Sequence, residues 1–120
     1  MAYKKKLIEV ALPLQAINVA STKEKAIAGG HPCTMHLYWA RRPLASARAV
    51  IFASLVDDPS NDPNLSEEEI HKEREKLFAI IKLLVDWKNI NNQDLLSTAK
   101  TIILKSTNGN PPSVLDPFCG

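Results

Sequence analysis

The chain has few aromatic residues, few glycines, two cysteines and no long apolar run. Aromatics make up 6% of its 120 residues, so aliphatic side chains must fill most of any core. Four glycines against eight prolines point to helices with sharp starts and away from a glycine-rich β-sandwich. Cys33 and Cys119 are too few for a disulfide framework, and nothing indicates an oxidising compartment. No stretch approaches the roughly 18 uninterrupted apolar residues of a membrane span. Lys4-Lys5-Lys6 followed by Leu7-Ile8 has the opening of a signal peptide, but Glu9, Pro13 and Gln15 break the apolar run at once. A cytoplasmic protein with no membrane partner is therefore expected.

What is present fits one soluble domain at most. With 45% hydrophobic and 23% charged residues, the chain can bury a core without disulfides or a metal. Collagen-like, disordered and disulfide-scaffold classes are excluded. The net charge of +2 hides an uneven distribution. Residues 1–50 hold eight basic groups against two acidic, whereas residues 51–120 hold seven against eleven. A basic half of this kind can attract phosphates.

Four helices are expected. The first lies in Leu7–Ile27, with Pro13 in a first-turn position, Leu14, Ile17 and Ile27 on an apolar side, and Gly29-Gly30 as the stop. Pro43 opens the second, where Leu44, Ala47, Ile51 and Leu55 form one stripe. Asp57-Asp58-Pro59 ends it, the adjacent carboxylates diverging toward solvent, and a polar linker follows to residue 65. The third helix begins at Ser66 with Glu69 completing a capping box, and carries Ile70, Leu77, Ile81 and Leu84 on one face with Phe78 and Val85 beside them. A fourth covers about Asp94–Lys105. Ser113-Val114-Leu115-Asp116 reads as a short strand.

Three constellations carry chemistry. A buried strand ending in an acid and running into a glycine turn is how doubly wound folds present a cofactor. Leu115-Asp116-Pro117-Phe118-Cys119-Gly120 has that form. In Trp39-Ala40-Arg41-Arg42, two guanidiniums beside a helix start offer forked donors for a carboxylate or phosphate. The arginines are equally suited to ion pairs, and Trp39 either packs the core or stacks on a base. His31, Cys33, His36 and Cys119 have metal-ligand chemistry. Structural zinc sites come as two tight ligand pairs, however, and no second pair exists. No metal is expected, and His31 reads as a residue of a His-Pro turn. Lys4, Lys5 and Lys6 read as a solvated tail.

The C-terminal run resembles the AdoMet-binding motif of amino-group DNA methyltransferases, Asp-Pro-Phe-x-Gly-x-Gly, matched by Asp116, Pro117, Phe118 and Gly120. The second glycine would lie two residues past Gly120. In those enzymes a His-Pro…Lys-Pro-Leu segment and a helix precede the strand. Here His31-Pro32 and Arg42-Pro43-Leu44 take those places, with Arg for Lys, a longer spacing and residues 57–112 inserted. The runs Leu7–Leu14, Ala16-Ile17-Asn18, Lys23-Glu24-Lys25, Gly30-His31-Pro32 and His36–Ala45 resemble the DUF1156 domain. That domain forms the N-terminus of large adenine-specific DNA methylase-like proteins of bacteria and archaea, some linked to phage defence or restriction–modification.

The resemblance implies a mainly α fold whose short C-terminal strand would be the first strand of a truncated Rossmann-like methyltransferase domain. Residues 1–58 would be the DUF1156-like helical segment, 59–112 a helical insertion, and 113–120 the start of the AdoMet domain. It implies S-adenosyl-L-methionine as cofactor, held in the full-length parent by Asp116, Pro117, Phe118, Cys119 and Gly120 with Arg42, Pro43 and His31 alongside. The partners implied are DNA, met by Arg41, Arg42, Lys23 and Lys25, the rest of the methyltransferase chain, and defence-system subunits. Asn110-Pro111-Pro112 resembles the catalytic motif of adenine methyltransferases, but Ser113 replaces the aromatic residue and the triplet reads as a turn. No catalytic residue is therefore assigned, and the fragment alone is expected to be inactive. The alternative is a small helical module that docks DNA or a partner subunit without catalysis.

Overall fold

The computed structural model describes residues 3–26 and 43–117, and these form a helical body. Five α-helices follow in order: α1 (Leu7–Val10), α2 (Leu14–Ala26), α3 (Leu44–Leu55), α4 (Glu67–Leu84) and α5 (Gln93–Ser106). Short 3-10 turns at Pro59–Asn61 and Trp87–Asn89 lie between the last three. The expected first helix is α2, and the apolar opening before Pro13 forms the separate short helix α1. Pro13 divides them, and its carbonyl accepts the Ile17 N–H at the start of α2.

α3 is the centre of the arrangement, because α1, α2, α4 and α5 all pack against it. Its buried face is Ala45, Ala49, Phe52 and Ala53, continued by Val56. The stripe expected from the sequence, Leu44, Ala47, Ile51 and Leu55, turns mostly outward, and Ile51 is 48% exposed. The reason is compositional. Arg48 is the single charge in α3, so its apolar residues run all round and periodicity cannot select a face. Packing selects the alanines, whose small side chains let neighbouring helices approach closely. Leu7 from α1 and Ile81 from α4, both wholly buried, join this face in one cluster. Each contributes about 2 kcal/mol by removal from water.

α2 buries Ile17 as expected, together with Ser21 and Glu24, while Leu14 is exposed and Ile27 lies outside the described residues. The buried polar groups are satisfied by α3: the Ser21 and Ser46 hydroxyls lie 2.8 Å apart, and Glu24 meets the start of α3. α4 begins as expected. The Ser66 hydroxyl accepts the Glu69 N–H, and Glu69 accepts from the Ser66 backbone N–H and hydroxyl, which holds its carboxyl below the usual range. Ile81, Leu84 and Val85 are buried, with Leu77 and Phe78 packed beside them. α5 is capped by the Asn92 side chain, which accepts the Leu95 N–H. It ends in a left-handed Asn108-Gly109 turn whose Gly109 N–H reaches the Leu104 carbonyl.

The segment after α3 is the principal correction. Asp57 and Asp58 do not diverge into solvent. Asp58 is 1% exposed and receives both Nε and Nη2 of Arg74 from mid-α4, at 3.0 and 2.8 Å. Ser60 N–H adds a third bond. Asp57 pairs with the Lys6 ammonium and donates its N–H to Ser106 at the end of α5. The N-terminal lysines are correspondingly not a solvated tail throughout. The Lys5 backbone exchanges bonds with the Asn61 side chain and accepts the Asp58 N–H, and Leu7 N–H reaches the Val56 carbonyl. Burial alone would push the Asp58 carboxyl up. The hydrogen bonds from Arg74 and Ser60, with the Arg74 charge, outweigh it and hold the group below the usual carboxylate range.

Among the described residues no strand forms, and Lys6–Asp57 is an isolated bridge. Ser113–Asp116, expected to be a strand, carries no regular structure. Among the described residues no neighbouring strand offers its backbone a ladder, and Val114 and Leu115 are 68% and 87% exposed.

Arg74→Ala leaves the Asp58 carboxylate buried and unpaired, so denaturant unfolding at pH 7 should show a loss of about 3 kcal/mol. Because the folded pKa is depressed, the wild-type contribution is complete above the ordinary carboxylate value of about 4. It is lost as pH falls through the folded value. In Arg74→Ala only the Ser60 hydrogen bond still opposes the effect of burial, so the variant should lose less stability on acidification than wild type. The face assignment of α3 predicts that Ala53→Leu costs about 1–3 kcal/mol by overpacking. Ile51→Ala should change stability by about 0.5 kcal/mol or less. Thermal melts of the two variants check this.

Candidate functional site

The start of α3 follows directly on the Arg-Arg-Pro run, and its geometry is set by α2. Pro43 occupies the N-cap with extended backbone and supplies no side-chain cap. The cap comes instead from the buried Glu24 carboxylate, whose two oxygens accept the Leu44 N–H at 2.9 Å and the Ala45 N–H at 3.1 Å. A carboxylate at a helix N-terminus also meets the positive end of the dipole. This anion position is therefore filled from within. A ligand carboxylate or phosphate arriving beside Pro43 could not use those two N–H groups and would depend on side chains.

Beside this start lies an open groove of about 890 Å³ between α2, the first half of α3 and the C-terminal end of α4. Leu14, Val19, Leu44, Phe78 and Trp87 give it an apolar floor, and Lys23, Arg48, Lys82 and Lys88 stand around it. Arg48 is positioned by two contacts: it donates to the Leu84 carbonyl at 3.3 Å and lies over the Trp87 ring, 5.6 Å from the centroid. The Trp87 turn is held by Asp86, which accepts the Lys88 N–H. Sequence reasoning did not single out Trp87, Arg48 or Glu24 as site residues. The available signal was the Lys23-Glu24-Lys25 block, in which the central acid is the buried one.

The residues expected to form the site fall as follows. His31, Arg41, Arg42, Phe118, Cys119 and Gly120 lie outside the described residues, as do Trp39, Cys33 and His36. Pro43 is half-buried at the head of α3. Lys23 and Lys25 are exposed near the end of α2, and only Lys23 lines the groove. Asp116 and Pro117 are exposed after the Asn110-Pro111-Pro112 loop. Among the described residues no group of three or more His, Cys, Asp or Glu side chains could hold a metal ion. No helix among them is long and apolar enough to cross a membrane.

Glu24→Ala removes the cap of α3, and urea unfolding should show a loss of about 1–2 kcal/mol. Hydrogen exchange at Leu44 and Ala45 should accelerate more than at Phe52. Glu24→Gln, which keeps one acceptor, should fall between.

Comparison with known proteins gives one family. A family described as a protein of unknown function, DUF1156, matches residues 11–80, from the turn before α2 into α4. No curated protein and no solved structure matches the chain. The matched span contains the Glu24 cap, the whole of α3 and both partners of the Asp58–Arg74 pair, and on this match the chain belongs to the DUF1156 family.

Proposed function

We propose that the chain is the N-terminal helical part of an AdoMet-dependent DNA methyltransferase that acts on the N6 amino group of adenine. The observation that carries this reading is the order of Gly30-His31-Pro32, Arg42-Pro43-Leu44 opening a helix, and Leu115-Asp116-Pro117-Phe118-Cys119-Gly120. Two structural facts support it. Pro43-Leu44 does open a helix, α3, on which the other helices pack. Val114 and Leu115 are apolar and exposed, which leaves them available for cover by further chain.

The cofactor, when bound, would supply the methyl group. The described residues fit it in part. Asp116 would be the acid that anchors the site, and Phe118, Cys119 and Gly120 would shape the methionine pocket. Because Glu24 occupies the first N–H groups of α3, the methionine carboxylate would be met by the Arg42 side chain and the glycine turn. Asn110-Pro111-Pro112 followed by Ser113 lacks the stacking ring of a catalytic motif, so the target base would be held by residues elsewhere in the protein.

The reading frame beyond Gly120 should show a glycine two residues on and, later, an Asn/Asp-Pro-Pro-aromatic motif. The protein read from the whole gene should transfer label from tritiated AdoMet to adenine in unmethylated DNA, and Asp116→Ala should lower the rate at least about tenfold. No incorporation by the whole protein contradicts the reading. The 120 residues alone should give no measurable heat with AdoMet in calorimetry, and tight binding would contradict the incomplete site.

A further inference from the structure

The groove beside α3 has a charge pattern that its own acids do not balance. Lys23, Arg48, Lys82 and Lys88 come from α2, α3, α4 and the turn after it, yet all four line this one groove. Three acids line it too. Glu24 is turned onto the N–H groups of α3, and Glu75 and the exposed Asp86, which also caps its own turn, leave the four cations in excess. The floor between them is apolar, and three of its large side chains, Leu14, Val19 and Leu44, are exposed. An apolar floor ringed by cations is the complement of an amphipathic segment whose apolar side is flanked by carboxylates. Helices border the groove, and no strand edge is available among the described residues, so the fitting occupant is a helix laid between helices.

We propose that this groove is a docking site for an acidic amphipathic helix of a partner protein. Apolar side chains of that helix at i, i+3 or i+4, and i+7 fill the floor against Val19 and Phe78. Its Glu or Asp residues on the flanks meet Lys23 on one side and Lys82 and Lys88 on the other. Arg48 is held toward the same space by Trp87 and the Leu84 carbonyl, so it accepts a carboxylate with little loss of side-chain freedom. The site takes up no residue assigned to the cofactor and shares only Lys23 with the expected DNA contacts, so its failure would leave the methyltransferase reading untouched.

The test uses a fluorescein-labelled 16-residue peptide with leucines on one helical face and glutamates beside them, read by anisotropy against the 120-residue chain. Its counterpart has lysines in place of the glutamates. The glutamate peptide should bind, weaken as salt rises, and outcompete the lysine peptide. A Lys82→Glu/Lys88→Glu double variant should bind about tenfold more weakly, and Val19→Glu should do the same through the floor. Lys100→Glu, on an exposed face of α5 outside the groove, should leave binding within about twofold. All these positions are exposed, and circular dichroism should show each variant folded. Equal binding of both peptides, or unchanged binding by the groove variants, overturns the proposal. So does concentration-dependent self-association abolished by Val19→Glu, which would give the groove to a second copy. Binding of a duplex oligonucleotide in place of the peptide would give the cations to nucleic acid and likewise overturn it.

Discussion

The Asp58 carboxylate is withdrawn from water just after α3, and Arg74 from the middle of α4 makes that position tolerable. A buried carboxylate without a partner costs several kcal/mol, so the position of α4 relative to α3 is tied to this bidentate pair. The same short stretch collects the other ends of the molecule. Asp57 takes the Lys6 ammonium and donates to Ser106, while Asn61 and Asp58 hold the backbone of Lys5. Residues 57–61 thus bind the N-terminal segment, α4 and the end of α5 to the end of α3. The apolar core follows the same plan, with Leu7, α3, Ile81 and Leu95 in one cluster that runs across the expected boundary at residue 58.

A second constraint concerns helix ends. The three long helices after α2 all begin with a side chain taking up their free N–H groups, but the source differs. α4 and α5 are capped by their own preceding residues, Ser66 and Asn92, and α3 is capped by Glu24 from α2. A cap supplied by another element ties tertiary packing to local structure. It fixes the start of α3, and with it Pro43 and the point from which the Arg41-Arg42 pair departs. It also closes one anion position, so chemistry at this end of α3 must come from side chains. The cations of the neighbouring groove face outward from four different elements and are untouched by that closure.

Local signals were readable in the sequence wherever a residue acts on its near neighbours. Ser66 and Glu69 form the capping box their spacing promised, and α4 and α5 fall within a residue or two of their expected bounds. The Asn108-Gly109 turn closes α5 by the same kind of local rule. The misreadings share one cause. In α3 the apolar residues surround the helix, so only tertiary contact decides that Ala49 and Ala53 face inward and Ile51 outward. Ser21, Glu24 and Asp58 are polar residues on buried faces, and their burial depends on partners distant in sequence, Ser46, Leu44 and Arg74. Ser113–Asp116 has the composition of a strand, but a strand needs a neighbour, and none is present among the described residues. For the site, the resemblance to DUF1156 was legible from short runs of residues, whereas the groove was not, because its floor and its cations come from four elements.

The account stands on the claim that residues 57–61 make α3, α4 and α5 one cooperative body. Native-state hydrogen exchange under increasing denaturant measures this directly. Amides in the buried part of α3, in α4 near Ile81 and in α5 near Ala99 should converge on one unfolding free energy with one denaturant dependence. If α4 and α5 exchange together at a distinctly lower free energy while α3 stays protected, the junction does not join them and the account is wrong.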